Sequence, residues 1–184
     1  MNLKVLGIAG SLRKGSYNKL ALKAAIELRP DGMEIEGFDI AAIPVYNEDV
    51  REQGFPPVVE QLREKIRAAD ALLLVTPEYN YSVPGVFKNA IDWASRPPDQ
   101  PFNDKPVAIM GASGSILGTA RAQYHLRQIC VFLNMHPINK PEVMIARAQD
   151  KFDAEGKLND EMARKLIGEL LINLAAWTRR LQQK

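Results

Sequence analysis

Residues Ala71–Val75 read ALLLV, five apolar residues in succession, and the polar segment TPEYNYSVPG follows at Thr76–Gly85. A strand that is apolar at every position is covered on both faces, as strands are in the centre of a parallel sheet. We therefore predict that Ala71–Val75 is the central strand of the fold. The polar residues that follow it would then lie at the carboxyl edge of the sheet.

The rest of the chain alternates between strand and helix patterns. Four more strands are predicted, at Leu3–Gly10, Met33–Ile40, Pro106–Gly111 and Glu142–Ala146. Apolar residues recur at helical spacing between and after them, around residues 17–28, 57–69, 86–94, 119–133 and 162–181. This alternation calls for a parallel sheet with helices on both faces. The sequence thus predicts one α/β domain over residues 1–184, a flavodoxin-like three-layer sandwich with a five-stranded parallel sheet in the order 2-1-3-4-5.

Composition narrows the classes of function. Hydrophobic residues make up 46% and charged residues 25% of the 184, which is typical of a soluble globular protein. The net charge of +2 comes without a basic cluster, and no apolar run reaches the ~20 residues of a membrane span. The single cysteine, Cys130, suits a reducing compartment, and the apolar run Val5–Ala9 is too short for a signal-peptide core. We expect a cytoplasmic protein with neither nucleic acid nor membrane as a partner.

The loop after the first strand, GSLRKGSYN at Gly10–Asn18, is the first candidate for ligand binding. In open α/β sheets, ligands bind beyond the carboxyl ends of the strands where the strand order reverses, here between strands 1 and 3. Backbone N–H groups at the start of a helix favour an anion. We expect Ser11, Ser16 and Asn18 to add hydrogen bonds to a phosphate and Arg13 to add a guanidinium. The alternative for Ser16 is an ordinary helix cap, and neither Walker A nor GxGxxG is present.

Two further loops face the same crevice. TPEYNYSVPG combines two tyrosines and an asparagine between Pro77 and Pro84, which suits the edge and face of a flat ring. Its alternative is a rigid turn with packed tyrosines, and Glu78 is more typical of a capping or solvated carboxylate than of a general acid. GASGSILG, at Gly111–Gly118, permits close backbone approach to a planar ligand.

Acid–base and metal-binding patterns are missing from the sequence. His125 and His136 have no cysteine or carboxylate cluster at metal-ligand spacing, and no GxSxG motif occurs. We therefore predict no metal site and no catalytic side chain, with a cofactor carrying the reaction.

At these loops the sequence resembles the NADPH-dependent FMN reductase family, in particular its bacterial quinone and chromate reductase branch. The matching segments are GSLRKGSYN at Gly10–Asn18, PEYNYSVPGVFKNAIDW at Pro77–Trp93, and the stretch Gly118–Gln128. The resemblance implies tightly bound FMN, NADPH or NADH as co-substrate, and homodimers or homotetramers. It implies that Ser11, Arg13, Ser16 and Asn18 hold the FMN phosphate, that Pro77, Glu78, Tyr79, Asn80 and Tyr81 lie along the isoalloxazine, and that Ser113 and Gly114 are nearby.

The implied reaction is ping-pong: a hydride passes from the nicotinamide to flavin N5, and electrons then pass to an acceptor over the same ring face. Quinones, free flavin, azo compounds and chromate remain open as acceptors, and so does the preference between NADPH and NADH. Arg121, Tyr124 and Glu142 are expected either in a polar network between subunits or on a solvated helix face. The alternatives to an enzyme are a flavodoxin-like electron carrier, which the slightly basic charge disfavours, and a phosphate-loop nucleotide-binding module.

Overall fold

Strands and helices alternate along the chain in the computed structural model, which describes residues 2–183. The strands are β1 (Leu3–Ala9), β2 (Met33–Phe38), β3 (Ala71–Val75), β4 (Pro106–Ala112), β5 (His136–Pro137) and β6 (Val143–Ile145). The helices are α1 (Tyr17–Leu28), α2 (Glu48–Glu52), α3 (Pro57–Ala68), α4 (Gly85–Ala94), α5 (Ala120–Phe132) and α6 (Glu161–Gln182), with a 3₁₀ turn at Ala148–Asp150.

All strand pairs are parallel, and the sheet runs β2-β1-β3-β4, with β5 and β6 both paired to β4. The predicted order 2-1-3-4-5 is confirmed. The fifth position differs from the prediction because two short strands share it. His136 pairs with Pro106 at the start of β4, whereas Val143 pairs with Met110 near its end. A strand of two residues is too short to leave a sequence pattern, which is why β5 was not predicted.

The central strand β3 is fully buried and separates two apolar cores. Leu73 and Val75 face the layer of α1 and α6, whereas Leu72 and Leu74 face the layer of α3, α4 and α5. Successive residues of a strand point to opposite faces, so an unbroken apolar run fills both cores. The helices on both faces confirm the predicted three layers. Within residues 2–183, no helix is long and apolar enough to cross a membrane.

Two glycines bring the carboxyl ends of the central strands close to their neighbours. A Cβ on Gly10, just after β1, would lie 2.4 Å from Phe87 of α4. A Cβ on Gly111, near the end of β4, would lie 2.1 Å from the carbonyl oxygen of Thr76. Only a residue without a side chain fits either position. The loops after β1, β3 and β4 therefore converge at one edge of the sheet.

Candidate cofactor-binding site

A cleft of about 310 Å³ lies where these three loops converge. Its volume is at the lower end of the range typical of small-molecule sites. The cleft brings together nine of the residues predicted from the sequence, namely Ser11, Arg13, Ser16, Asn18, Pro77, Glu78, Tyr79, Ser113 and Gly114. Asn80 and Tyr81 are exposed at the tip of the adjoining turn and do not line the cleft.

The loop between β1 and α1 offers a row of unpaired backbone donors. The N–H groups of residues 11–15 meet no protein acceptor in the described part of the chain. The Ser16 hydroxyl accepts the N–H groups of Asn18 and Lys19 at 3.2 and 3.4 Å, so Ser16 caps α1. Ser11 is buried, so its N–H group needs a partner that the protein itself does not supply. A phosphate fits such a row of donors at the start of a helix.

Arg13 adds a positive charge to the same wall of the cleft. Its side chain is exposed, and no carboxylate of residues 2–183 lies within 4.0 Å of its guanidinium nitrogens. The guanidinium is therefore available to an incoming anion, which it would bind through charge-assisted hydrogen bonds.

Asn18 joins the first turn of α1 to the end of β4. Its Nδ2 donates to the carbonyl oxygen of Ala112 at 2.8 Å, and its Oδ1 accepts the Ala112 N–H at 2.9 Å. Asn18 is 3% exposed, so both bonds are shielded from water. Sequence reasoning expected a direct hydrogen bond from Asn18 to the phosphate. In the structure its side chain holds two walls of the cleft together.

The turn Tyr79–Ser82 forms the rim of the cleft. Tyr79 and Ser82 exchange two backbone hydrogen bonds, at 3.1 and 3.0 Å, and the residues between them have positive φ, 48° at Asn80 and 67° at Tyr81. Positive φ at both central positions is typical of a type I′ turn, in which asparagine is common and tyrosine is rare. The alternative considered from the sequence was a rigid turn with packed tyrosines, but Tyr79 and Tyr81 are 51% and 66% exposed.

Glu78 caps helix α5 from a loop 43 residues earlier in the chain. Its Oε2 accepts the N–H groups of Arg121 and Ala122 at 2.9 and 3.1 Å, and its Oε1 pairs with the Arg121 guanidinium at 2.9 Å. Thr119, which precedes the helix, makes no capping bond with its side chain. The carboxylate satisfies N–H groups that would otherwise be unpaired at the helix start. Glu78 is thus a capping residue.

Comparison with known proteins now decides the family. Residues 3–150 match the family described as NADPH-dependent FMN reductase. The chain belongs to that family. The resemblance inferred from the sequence is confirmed, and with it the enzyme class of an NAD(P)H-dependent oxidoreductase and the cofactors FMN and NAD(P)H.

Relatives of the reductase cover nearly its whole length. An NAD(P)H-dependent FMN reductase of Pseudomonas aeruginosa is 66% identical over 98% of both chains. An NAD(P)H:quinone oxidoreductase of Solanum tuberosum is 50% identical over 99% of this chain and 96% of its own. The structure of a flavoenzyme NAD(P)H:(acceptor) oxidoreductase from Paracoccus denitrificans superposes with a TM-score of 0.87 at 34% identity, covering 97% of this chain and 98% of its own.

The third loop of the reductase is fixed by the 3₁₀ turn and β6. Ser113 donates its N–H to Ile145 at 2.9 Å, and its carbonyl oxygen accepts the N–H of Ala148 at 3.0 Å. Its hydroxyl accepts the N–H of Ser115 at 3.1 Å. Ser113 is therefore held by its backbone at the edge of the cleft, beside the exposed Gly114.

The three residues expected in a subunit network find partners within one chain of the reductase. Arg121 pairs with Glu78, and the Tyr124 hydroxyl donates to Glu142 Oε1 at 2.9 Å. This hydrogen bond and the charge of the carboxylate raise the pKa of Tyr124. The side chain of Tyr124 remains half exposed.

A larger groove of about 530 Å³ lies between α4 and α5 and begins at Ser82, whose hydroxyl oxygen is 2.8 Å from His125 Nδ1. Its walls are mainly side chains of α4 and α5. Beyond the first turn of each helix, the backbone N–H groups are used within the helix. The smaller cleft is therefore the better site for a phosphate. Among the described residues, no group of three His, Cys, Asp or Glu side chains could hold a metal ion.

Proposed function

We propose that the reductase binds FMN in the cleft between the loops after β1, β3 and β4, and passes electrons from NAD(P)H to quinones by a ping-pong mechanism. The unpaired N–H groups of residues 11–15 carry this proposal, because together with the start of α1 and the unpaired Arg13 they offer an anion a set of donors. Relatives named as quinone reductases support the acceptor. One from Escherichia coli K12 is 51% identical over 86% of both chains.

The chain's residues bind and orient the cofactor from three sides. Ser11 and Arg13 hold the phosphate, and Ser16 and Asn18 keep their loop in place through α1 and β4. On the second side, Pro77 and the turn that begins at Tyr79 limit how the ring system lies. On the third side, the exposed backbone around Ser113 and Gly114 borders the cleft. Asn80 and Tyr81 contribute at the rim.

FMN supplies the redox chemistry when bound, since it accepts a hydride from NAD(P)H and gives two electrons to a quinone, which takes up two protons and leaves as the hydroquinone. The protein's contribution is geometric, because hydride transfer depends on close positioning of donor and acceptor. The contacts of Glu78 are consistent with a protein that positions the cofactor and does not itself transfer protons. Both its oxygens are engaged by α5, so it is not placed to shuttle protons.

Chromate is a second acceptor, because an exposed cleft admits a small oxyanion as well as a quinone. The reductase works in the cytoplasm as one domain and assembles as a homodimer or homotetramer. The half-exposed Tyr124 and the Glu142 beside it offer polar groups to a neighbouring subunit.

Absorbance spectroscopy of the purified protein tests the cofactor and the order of events. We expect a yellow protein whose flavin bands bleach on anaerobic addition of NAD(P)H and return when a quinone is added. Initial rates at varied concentrations of both substrates should give parallel double-reciprocal lines. A colourless protein that takes up no added FMN would refute the cofactor site. Intersecting lines would refute the ping-pong mechanism alone.

A further inference from the structure

Arg121 contacts two residues of the loop after β3 at the same time. Its guanidinium carbon lies 3.6 Å from the centre of the Tyr81 ring, and its Nη1 lies 2.9 Å from Glu78 Oε1. The same guanidinium thus lies over an aromatic ring and pairs with a carboxylate. Arginine is the residue whose charged group can stack and pair in this way.

Tyr81 needs such a contact because of its backbone. Its φ of 67° lies in the left-handed region, where a residue with a Cβ is destabilised relative to other conformations. Its side chain is 66% exposed, so burial against the core does not hold it. A conformation of this kind persists only where neighbouring groups impose it. The neighbours here are the hydrogen bonds between Tyr79 and Ser82 and the guanidinium of Arg121.

Glu78 fixes the position of the guanidinium. Its side chain is 8% exposed, and its carboxylate accepts two backbone N–H groups at the start of α5 as well as the arginine side chain. The rigid end of a 13-residue helix is thereby connected through Arg121 to the exposed tip of the turn.

We propose that Arg121 is a positioning residue, which holds Tyr81 and the turn Tyr79–Ser82 in the one conformation that receives the flavin ring. This inference rests on the proposed FMN site and extends it to a residue outside the cleft. Arg121 acts through Tyr81, so its effect on FMN binding should vanish when Tyr81 loses its ring.

A double-mutant cycle on FMN binding to the apoprotein tests this dependence. Arg121→Ala and Tyr81→Leu should each raise the Kd for FMN about 3- to 10-fold, the size expected from loss of a partly exposed cation–π contact. The double variant should be no worse than either single variant, because both remove the same interaction. Tyr81→Phe should raise the Kd less than Tyr81→Leu does, since it keeps the ring that Arg121 contacts.

Arg180→Ala is the matched control, because Arg180 also lies over an aromatic ring, Trp177, on α6 and away from the cleft. It should leave the Kd unchanged. Urea unfolding of each apoprotein separates positioning from plain stability. The proposal would be overturned if the fold-changes in Kd of Arg121→Ala and Tyr81→Leu multiplied in the double variant, because the two residues would then act independently. So would a loss of stability in Arg121→Ala with an unchanged Kd. A wild-type protein that binds no FMN would instead refute the proposed function on which this inference rests.

Discussion

The side-chain amide of Asn18 and the backbone of Ala112 form a closed pair of hydrogen bonds, at 2.8 and 2.9 Å, across 94 positions of sequence. The pair joins the first turn of α1 to the last residue of β4. Both residues border the cleft. The distance between these two walls of the cleft is therefore set by hydrogen bonds within the protein and does not require a bound ligand.

Asn18→Leu should destabilise the apoprotein strongly. Leucine has nearly the same size but leaves a buried N–H and a buried C=O of Ala112 unpaired, which costs about 2–4 kcal/mol. Urea unfolding without FMN measures the loss. The same change at the exposed Asn139 should alter the free energy of unfolding by less than about 0.5 kcal/mol. If both substitutions lowered the free energy of unfolding by the same amount, the hydrogen bonds of Asn18 to Ala112 would not contribute to stability.

Arg13→Ala should weaken FMN binding while leaving the fold unchanged. A charge-assisted contact to phosphate is worth about 1.5–3 kcal/mol, so the Kd should rise about 10- to 150-fold. Fluorescence titration of the apoprotein gives this value. Lys23→Ala, which removes an exposed positive charge from α1, is the control for net charge. An unchanged Kd in Arg13→Ala would remove this residue from the phosphate site.

Asn80→Leu should impair flavin binding or hydride transfer while the fold remains intact. The substitution removes the amide and places a branched side chain at a φ of 48°. Asn80→Gly separates these two effects, since glycine accepts the turn but also lacks the amide. If positioning by the turn matters, kcat/KM for NAD(P)H should fall about tenfold in the leucine variant and less in the glycine variant. Wild-type kinetics in both would count against a role for Asn80.

Cys130 should be unreactive in the folded protein and should lower its stability at high pH. Burial raises the pKa of the thiol from 9.0 to about 12. Between these values the unfolded chain loses a proton that the folded chain retains, so stability falls by about 1.4 kcal/mol per pH unit from this residue. Unfolding of Cys130→Ala between pH 8 and about 11 should show a shallower decline than the wild type. Rapid alkylation of the native thiol at neutral pH would contradict the burial.

The fold was predictable where the pattern of apolar residues had only one explanation. Ala71–Val75 and Tyr17–Leu28 coincide with their predicted limits because uninterrupted burial and helical spacing are local properties of the sequence. α2 and β5 were missed for the opposite reason. None of the five side chains of α2 is buried. β5 consists of two residues that form a strand only because they pair with the edge of β4.

The cleft was predictable from topology, but the roles of its residues only in part. The strand order places the loops after β1, β3 and β4 together, so the amino-acid sequence is enough to group their polar residues. Glu78 was recognisable as a carboxylate typical of helix caps, but the helix it caps begins 42 residues later. The pairing of Asn18 with Ala112 and the stacking of Arg121 on Tyr81 likewise depend on tertiary distances, which a sequence pattern does not contain.

One edge of the sheet consists of two short strands, β5 and β6, instead of one long strand. Short edge strands reduce the chance that the sheet pairs with another molecule. An exposed edge with a long run of free N–H and C=O groups can recruit a strand from another molecule. Here β5 and β6 present two and three residues, and Pro137 contributes no N–H. At the opposite edge, β2 exposes Glu34, whose charge would oppose its copies in a stack of identical strands, and Glu36, which pairs with Lys65 Nζ at 2.7 Å. Neither edge offers a template long and neutral enough for a second chain to extend the sheet.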